Sequence, residues 1–338
     1  MPSKILVTGG LGYIGSHTSV ELIQQGFEII IVDDLSNSSI KVLDGIKKIT
    51  GVSPEFVKLN LRDKKEVNRL FEAYPDLSGI IHFAACKAVG ESIDQPLKYY
   101  ENNIGSLINL LQAIESKRRR FSFIFSSSCT VYGQADQLPI TEKAPIKKAE
   151  SPYGNTKQIG EEILFDSTRS NGLIKVISLR YFNPIGGHPS IEIGELPKGK
   201  PQNLVPFITQ TAAGIHKNLY VFGNDYPTLD GTCIRDYIHV VDLAEAHVAG
   251  LKRMMANEQN NNFEVFNLGT GKGKSVLEVI KIFEKVSGVN LKYEIVDRRP
   301  GDIVEAYADT AKANKVLRWK AKNDLVEALK TAWEWEKK

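Results

Sequence analysis

Nothing in this 338-residue chain restricts its fold as tightly as residues 5–15. Ile5-Leu6-Val7-Thr8 is an apolar, β-type run. It stops on Gly9-Gly10-Leu11-Gly12-Tyr13-Ile14-Gly15, which sets glycines at 9, 12 and 15. A residue without a side chain suits a tight turn at Gly9, backbone approach to a phosphate at Gly12, and close packing of helix on strand at Gly15. The helix that starts there presents unpaired N–H groups to an anion. A glycine triplet alone is weak evidence. Here a strand precedes it, a helix follows, and a second apolar run, Phe27–Asp33, ends in Asp33-Asp34 about twenty residues on. A carboxylate at that point accepts both ribose hydroxyls of NAD and repels the 2′-phosphate of NADP. Asp33 is assigned the ribose. Asp34 is secondary, because it could equally cap the turn that follows.

Short apolar runs alternate with helical stretches through the first half. Ile5–Thr8, Phe27–Asp33, Glu55–Asn60, Gly79–Ala84, Phe121–Ser126 and Lys175–Tyr181 read as strands. Residues 14–25, 38–50, 64–73, 97–117 and 153–170 read as helices. Nearly all-apolar strands between helices predict a doubly wound, Rossmann-like α/β fold with a parallel sheet covered on both faces. After Asn183 a proline- and glycine-rich stretch to residue 203 reads as a loop wrapping a ligand. Beyond it come shorter, mixed elements: helices near 204–216, 242–255 and 275–287, and strands near 219–222 and 263–267. The expected division is a dinucleotide domain at 1–183, able to take back a strand or helix from around 235–267. The smaller mixed α/β substrate lobe is expected mainly at 184–338.

Composition excludes other classes. Hydrophobic residues make up 42% and charged residues 25%, as in an ordinary globular domain. Lys+Arg 43 against Asp+Glu 40 leaves +3, which gives no ground for a nucleic-acid or membrane partner. No apolar run reaches the roughly 18 residues of a span, and the N-terminus has no signal-peptide h-region. The three cysteines, Cys86, Cys129 and Cys233, suggest no disulfide framework, and the histidines show no metal-ligand spacing. A cytoplasmic, metal-free protein is expected.

Tyr153-Gly154-Asn155-Thr156-Lys157 puts Tyr and Lys four apart, on one helix face, with Pro152 as a good first-turn residue. A neighbouring ammonium and a positive nicotinamide would both lower the phenol's pKa from its ordinary value near 10. Such a pair is common on surface helices. It gains meaning from Ser126-Ser127-Ser128 at the carboxyl end of the fifth strand. A hydroxyl there, Tyr-x-x-x-Lys on the next helix and the glycine fingerprint together resemble the extended short-chain dehydrogenase/reductase superfamily.

The resemblance narrows along nearly the whole chain. Gly12-Tyr13-Ile14-Gly15-Ser16-His17-Thr18, Lys87-Ala88-Val89-Gly90-Glu91-Ser92, Ser128-Cys129-Thr130-Val131-Tyr132-Gly133 and Arg180-Tyr181-Phe182-Asn183-Pro184 are similar to the UDP-glucose 4-epimerase family. So are Gln202-Asn203-Leu204, Phe222-Gly223-Asn224-Asp225-Tyr226, Arg235-Asp236-Tyr237-Ile238-His239 and Arg298-Arg299-Pro300-Gly301-Asp302.

That likeness implies reversible C4 epimerisation of a UDP-hexose through a 4-keto sugar and a resident NAD. Tyr153 is implied as base, Ser128 as its hydrogen-bonding partner at the sugar oxygen, and Lys157 as the group that binds the nicotinamide ribose and keeps Tyr153 acidic. Cofactor contacts carried over by position are Tyr13, Ile14, Asp33, Asp34, Leu35, Ser36, Asn37, Ser38, Asn60, Leu61, Phe83, Ala84, Ala85, Cys86, Lys87, Asn102 and Phe182. Asn60 departs from the family's aspartate at the adenine. Its amide oxygen can accept, without the charge. Substrate contacts implied are Lys87, Tyr181, Asn183, Asn203, Leu204, Tyr220, Phe222, Arg235, Arg299 and Asp302. The two arginines supply planar forks for the diphosphate. Read without the resemblance, Tyr220 and Phe222 on a short strand would be core, and His239 a structural hydrogen-bonding residue.

The family also has a position that lines the pocket near the sugar 2-substituent. Here it is Ala306, and a small residue implies room for N-acetylated sugars, unless the neighbouring Tyr307 rotates in. A homodimer is implied by the family alone, because the helical stripe Ile104, Leu107, Ile108, Leu111 and Ile114 is expected to serve the sheet's own core. Two competing readings remain. A sugar-nucleotide 4,6-dehydratase shares the fold but needs an acid–base pair, typically Asp-Glu, where Cys129-Thr130 stand. A non-catalytic NAD-sensing protein would have no use for Ser128, Tyr153 and Lys157 together.

Overall fold

The computed structural model describes residues 4–170, 172–299 and 301–338. Residues 1–3 of the N-terminal run and Pro300 of the Arg-Arg-Pro-Gly-Asp segment lie outside the described residues. The first half alternates strand and helix: β1 (Lys4–Thr8), α1 (Tyr13–Gln24), β2 (Glu28–Asp33), α2 (Val42–Thr50), β3 (Glu55–Lys58), α3 (Lys64–Ala73), β4 (Leu77–His82), α4 (Val89–Asp94), α5 (Pro96–Ser116), β5 (Phe121–Ser128), α6 (Pro152–Ser170) and β6 (Ile174–Tyr181). The second half is β7 (Asn183–Ile185), α7 (Leu204–Ala212), β8 (Leu219–Phe222), β9 (Ile234–His239), α8 (Val240–Met255), β10 (Phe263–Leu268), β11 (Gly273–Ser275), α9 (Val276–Ser287), β12 (Tyr293–Val296), β13 (Glu305–Ala306), α10 (Ala311–Val316) and α11 (Leu325–Glu336).

Seven parallel strands form one sheet in the order β10-β6-β5-β4-β1-β2-β3. This is the expected Rossmann-like fold. The strands are buried on both faces, as their apolar runs require: every residue of β5 is buried. One core lies on each side of the sheet. Val7, Ile31, Ile124 and Ile177 meet α1 and α8 on one face. Leu6, Ile80, Phe123 and Val176 meet α3, α5 and α6 on the other. The strand order reverses between β1 and β4, and the crevice at such a reversal is where doubly wound sheets bind ligands. A smaller sheet, with β9 paired to β7, β11 and β13, and the β8–β12 pair make up the second lobe.

Two expectations are corrected. The helix expected at 38–50 begins only at Val42, because the Ser38 hydroxyl turns back to donate to Asp33 Oδ1 at 2.7 Å rather than capping it. In α5 the core face runs through Leu107, Leu110, Leu111 and Ile114. Ile108 points outward at 38% exposure, because the buried arc drifts with the 3.6-residue turn.

At the β1–α1 turn, a Cβ on Gly15 would collide with the Gly9 carbonyl, and one on Gly9 would lie 2.8 Å from Ala84 N. Gly15→Ala is therefore expected to destabilise the protein by about 3 kcal/mol, the upper end of overpacking effects, in urea unfolding. A loss under about 0.5 kcal/mol, as at an unremarkable surface site, would show that the turn has slack.

Candidate active site

The site gathers where β1, β4 and β5 end. At the turn after β1, α1 starts on Gly12 with no side chain capping it. Its first N–H groups, at Tyr13, Ile14 and Gly15, are therefore left for an anion. Asp33 ends β2 beside this turn. Its Oδ2 accepts from Leu11 N at 3.2 Å, and its Oδ1 accepts from Leu35 N at 2.9 Å and from the Ser38 hydroxyl. The carboxylate is thus fixed at the rim of the glycine turn. Asp34 does what the plainer reading allowed and closes a turn on Ser36 N at 2.8 Å. An uncapped helix start, glycines that admit no Cβ and a fixed carboxylate suit a dinucleotide.

Asn60 Oδ1 accepts from Arg62 N at 3.0 Å and Arg62 Nε at 3.3 Å, so its oxygen is committed to its own turn. Phe83, Ala84, Ala85 and Lys87 follow β4. They are steadied by a residue that sequence reasoning missed. Asn103 Oδ1 accepts from Cys86 N at 2.8 Å, while its Nδ2 donates to Cys86 O and to Thr156 Oγ1, both at 3.0 Å. Asn102, its assigned neighbour, donates to Asn103 Oδ1.

Ser128, Tyr153 and Lys157 come together. Ser128 ends β5, and its Oγ accepts from Thr130 N at 3.2 Å, which leaves the O–H to donate elsewhere. Its hydroxyl stands near the Tyr153 phenol and favours the ionised form of that group. Lys157 Nζ donates to Ser126 O at 2.7 Å and lies 4.9 Å from the Phe125 ring centre and 5.9 Å from that of Tyr153. Burial dominates the charge states. It pushes the Tyr153 phenol up to about 12, against a smaller downward pull from Ser128. It draws the Lys157 ammonium down to about 8, against an upward pull from Glu161. Tyr181 lies under this group, buried, with its hydroxyl bonded to Ser126.

The residues assigned to the nucleotide sugar form a second cluster. Arg299 donates to both carboxylate oxygens of Asp302 and lies 5.5 Å from the Phe222 ring centre. Arg235 Nη2 is 3.6 Å from Asp302. Along β8, Leu219 and Val221 are buried, whereas Tyr220 is half-buried and Phe222 is 40% exposed. Phe222 therefore faces the open side, whereas Tyr220 stays packed against the lobe's core with its ring stacked on Phe207. Asn203 precedes α7, which begins at Leu204. Glu195 ties this cluster to the cofactor side: its Oε1 accepts from Lys87 Nζ at 3.3 Å and Asn203 Nδ2 at 2.8 Å. Asn183 and Phe182 lie at the exit of β6, and Phe182 shares a small apolar cluster with Val131, Tyr132 and Ala306. Ala306 pairs with Arg235 across the strands, while the Tyr307 ring lies against Gly273.

His239 Nδ1 accepts from Val241 N at the start of α8, and its Nε2 bonds Thr331. It is a joint, not a base. Among the described residues no group of three or more His, Cys, Asp or Glu stands close enough to hold a metal, and no helix is long and apolar enough to cross a membrane.

Known proteins resemble this chain over nearly its whole length. Residues 6–332 match the model of the family described as GDP-mannose 4,6 dehydratase. The chain is 50% identical to the UDP-glucose 4-epimerase of Bacillus subtilis (strain 168), with 98% of this chain and 96% of that one covered. The structure resembles UDP-glucose 4-epimerase from Bifidobacterium longum in complex with NAD+ and UDP, with a TM-score of 0.95, 44% identity, and 99% and 98% of the two chains covered. It also resembles the UDP-Glc/GlcNAc 4-epimerase from Campylobacter jejuni, with a TM-score of 0.84, 38% identity, and 99% of each chain covered.

Four buried histidines surround these elements, each held neutral by burial: His17 and His82 down to about 3, His239 and His247 down to about 4. Between those values and the ordinary 6.5, the unfolded chain binds protons that the folded one refuses. Stability is full above 6.5 and is lost as pH falls toward 4. The melting temperature is expected to drop steeply between about pH 6.5 and pH 5, before most carboxylates titrate. A flat profile over that interval would show that these rings accept protons in place.

Proposed function

The chain belongs to the UDP-glucose 4-epimerase family, and we propose that it interconverts UDP-galactose and UDP-glucose at C4 through a transient 4-keto sugar with a resident NAD. The observation that carries this reading is the convergence of Ser128, Tyr153 and Lys157 beside an uncapped, glycine-walled helix start. In it, Gly9, Gly12, Tyr13, Ile14 and Gly15 hold the pyrophosphate and Asp33 the adenosine ribose. Arg235, Arg299 and Asp302 take the UDP. Reversible hydride acceptance at the sugar C4 is the chemistry NAD supplies when bound.

The chain's own groups move and hold the proton. Tyr153 takes it from the 4-hydroxyl and later returns it. Ser128 donates to the same oxygen, its lone pair already engaged by Thr130 N. A phenol held near 12 needs a cation at hand to serve as a base near neutrality, and Lys157 keeps its proton at pH 7. The dehydratase reading has no acid–base pair to draw on, because burial raises the Cys129 thiol to about 11 and the Thr130 hydroxyl does not ionise. The same reading takes the protein as a cytoplasmic homodimer. Leu97, Ile108 and Phe165 leave an apolar outer face on α5 and α6 for a second copy.

Purified protein incubated with UDP-galactose is expected to form UDP-glucose without consuming added NAD. Tyr153→Phe should lose at least about 10²–10⁴-fold of that rate while still carrying NAD. Wild-type activity in Tyr153→Phe would remove Tyr153 from the mechanism. Ala306 supports a wider substrate range by its size, because its methyl, packed beside Phe182 and Val131, takes far less volume than a tyrosine ring. UDP-GalNAc should be turned over as well, and Ala306→Tyr should abolish that activity and spare UDP-galactose. A wild type that ignores UDP-GalNAc while accepting UDP-galactose would overturn the size argument.

A further inference from the structure

Beneath the reacting groups lies a buried ion pair that the proton transfer does not itself use. Glu161 follows Lys157 by one helical rung and Tyr153 by two, so the three side chains descend one face of α6. Each rung meets one of three consecutive serines of β5. The Ser128 hydroxyl stands near the Tyr153 phenol, Ser126 O accepts from Lys157 Nζ at 2.7 Å, and Ser127 Oγ donates to Glu161 Oε1 at 2.6 Å. Glu161 is tied to β6 as well. It accepts from Ser178 Oγ at 2.7 Å, from Arg180 Nε at 2.9 and 3.2 Å, and from Arg180 Nη2. The register explains the convergence, because Ser127 pairs with Arg180 across the two parallel strands and Ser178 lies two residues back on the same face. Arg180 in turn donates from Nη1 to Tyr132 OH at 2.9 Å, four residues past Ser128, and Tyr132 OH donates to Asn267 Oδ1 at 2.6 Å.

Glu161 and Arg180 are both almost wholly buried. Stability does not explain such a pair, since apolar residues of like volume usually hold a helix on a sheet at least as well. What apolar packing cannot supply is a fixed charge and a fixed register. The groups around Lys157 are few. From α6 there are Glu161 and Tyr153. β5 contributes the Ser126 carbonyl and the Phe125 ring face, and β4 contributes neutral His82, bonded to Thr8. Tyr181, bonded to Ser126, and Arg180 come from β6, Arg180 already engaged by Glu161. Among these, Glu161 is the carboxylate.

We propose that Glu161, anchored by Arg180, is a positioning residue for the epimerisation: it sets the register of α6 against β5 and keeps Lys157 in its ammonium form. The charge balance agrees, since burial draws Lys157 down to about 8 and Glu161 is the group pulling it back up. The inference rests on the Tyr153–Lys157 reading above.

The test compares Glu161→Gln, Glu161→Asp and the double variant Glu161→Gln/Arg180→Gln. NAD content and melting temperature are checked first, and kcat and KM for UDP-galactose are then followed against pH. The double variant guards against Glu161→Gln failing to fold with Arg180 left uncompensated. With the carboxylate gone, Lys157 sheds its proton earlier, so the alkaline limb of kcat should move down by about one pH unit in Glu161→Gln and by less, in the same direction, in the double variant, where the opposing Arg180 cation is removed too, with KM little changed. Glu161→Asp keeps the charge but shortens the reach. It should lose up to about 100-fold in kcat with the limb unmoved. A merely structural role would scale kcat equally at every pH. Profiles that superimpose on wild type after scaling, in whichever Gln variants fold, overturn the proposal. Tyr153→Phe in the same series separates the two readings. An active Tyr153→Phe overturns both, whereas an inert one beside unshifted Gln profiles overturns this one alone.

Discussion

The approach of α1 to the end of β1 sets the terms for the rest of the site. Because Gly15 brings the helix against the Gly9 carbonyl, and Gly9 lies against the backbone of Ala84, the turns after β1 and β4 share one narrow crevice. That contact fixes where α1 points its unpaired N–H groups, and so where an anion can lie. It also fixes the distance from there to β5, the strand next to β4, whose last residues carry the hydroxyl and carbonyl that Tyr153 and Lys157 need. A bulkier turn would part the strands' ends, and the two halves of the chemistry would no longer face one crevice.

How much of this could be read from the chain depended on the range of the interaction. The β1–α1 turn was legible because its constraint is local and steric, and the alternation of apolar strands with helices was enough to foresee the parallel sheet. Ser38 misled because a serine before a helical stretch usually caps it. Here the carboxylate of Asp33, five residues back, competes for the same hydroxyl, and Leu35 adopts a positive φ to let the chain turn. Ile108 misled because a stripe drawn on strict spacing ignores the drift of the helix. β11 and β13 escaped notice as strands because they have only three and two residues, and β9 because Arg235 and Asp236 break its apolar run; all three are stabilised by partners far along the chain. Glu161, Asn103 and Glu195 escaped for a related reason. Each looks like an ordinary polar residue until the fold closes a pairing across tens of residues, such as Ser127 with Glu161 or Lys87 with Glu195.

The charge states at the centre carry a lesson of their own. From the sequence, Lys157 was expected to lower the Tyr153 phenol. In the folded protein burial is the larger effect and acts on both groups, lifting the tyrosine and lowering the lysine, so each moves toward its neutral form. A site arranged this way keeps the Lys157 charge at neutral pH, but only by a small margin. The Ser128 hydroxyl beside Tyr153 or a carboxylate one rung below Lys157 then has more influence than it would in water, because the low-dielectric surroundings screen it less. Small groups placed near a buried pair decide which of its two protonation states prevails.

The stretch 186–203 joins these parts into one body. It holds no strand or helix, yet it is pinned at intervals to both lobes. Tyr13 OH donates to Gly186 O at 2.6 Å, and Lys198 Nζ donates to the carbonyls of Leu35 and Ser36 at 2.8 and 2.9 Å. Glu195 holds Lys87 and Asn203 on one carboxylate oxygen, while Trp335 of α11 donates to the Glu195 carbonyl. The loop beside Asp33, the turn after β4 and the start of α7 are thereby strung on a single segment. A side chain assigned to the sugar nucleotide and one assigned to the cofactor thus share an acceptor. For a reaction that lends a hydride and takes it back, such cross-bracing matters because it ties together, through Glu195, the segments assigned to the two molecules that must meet.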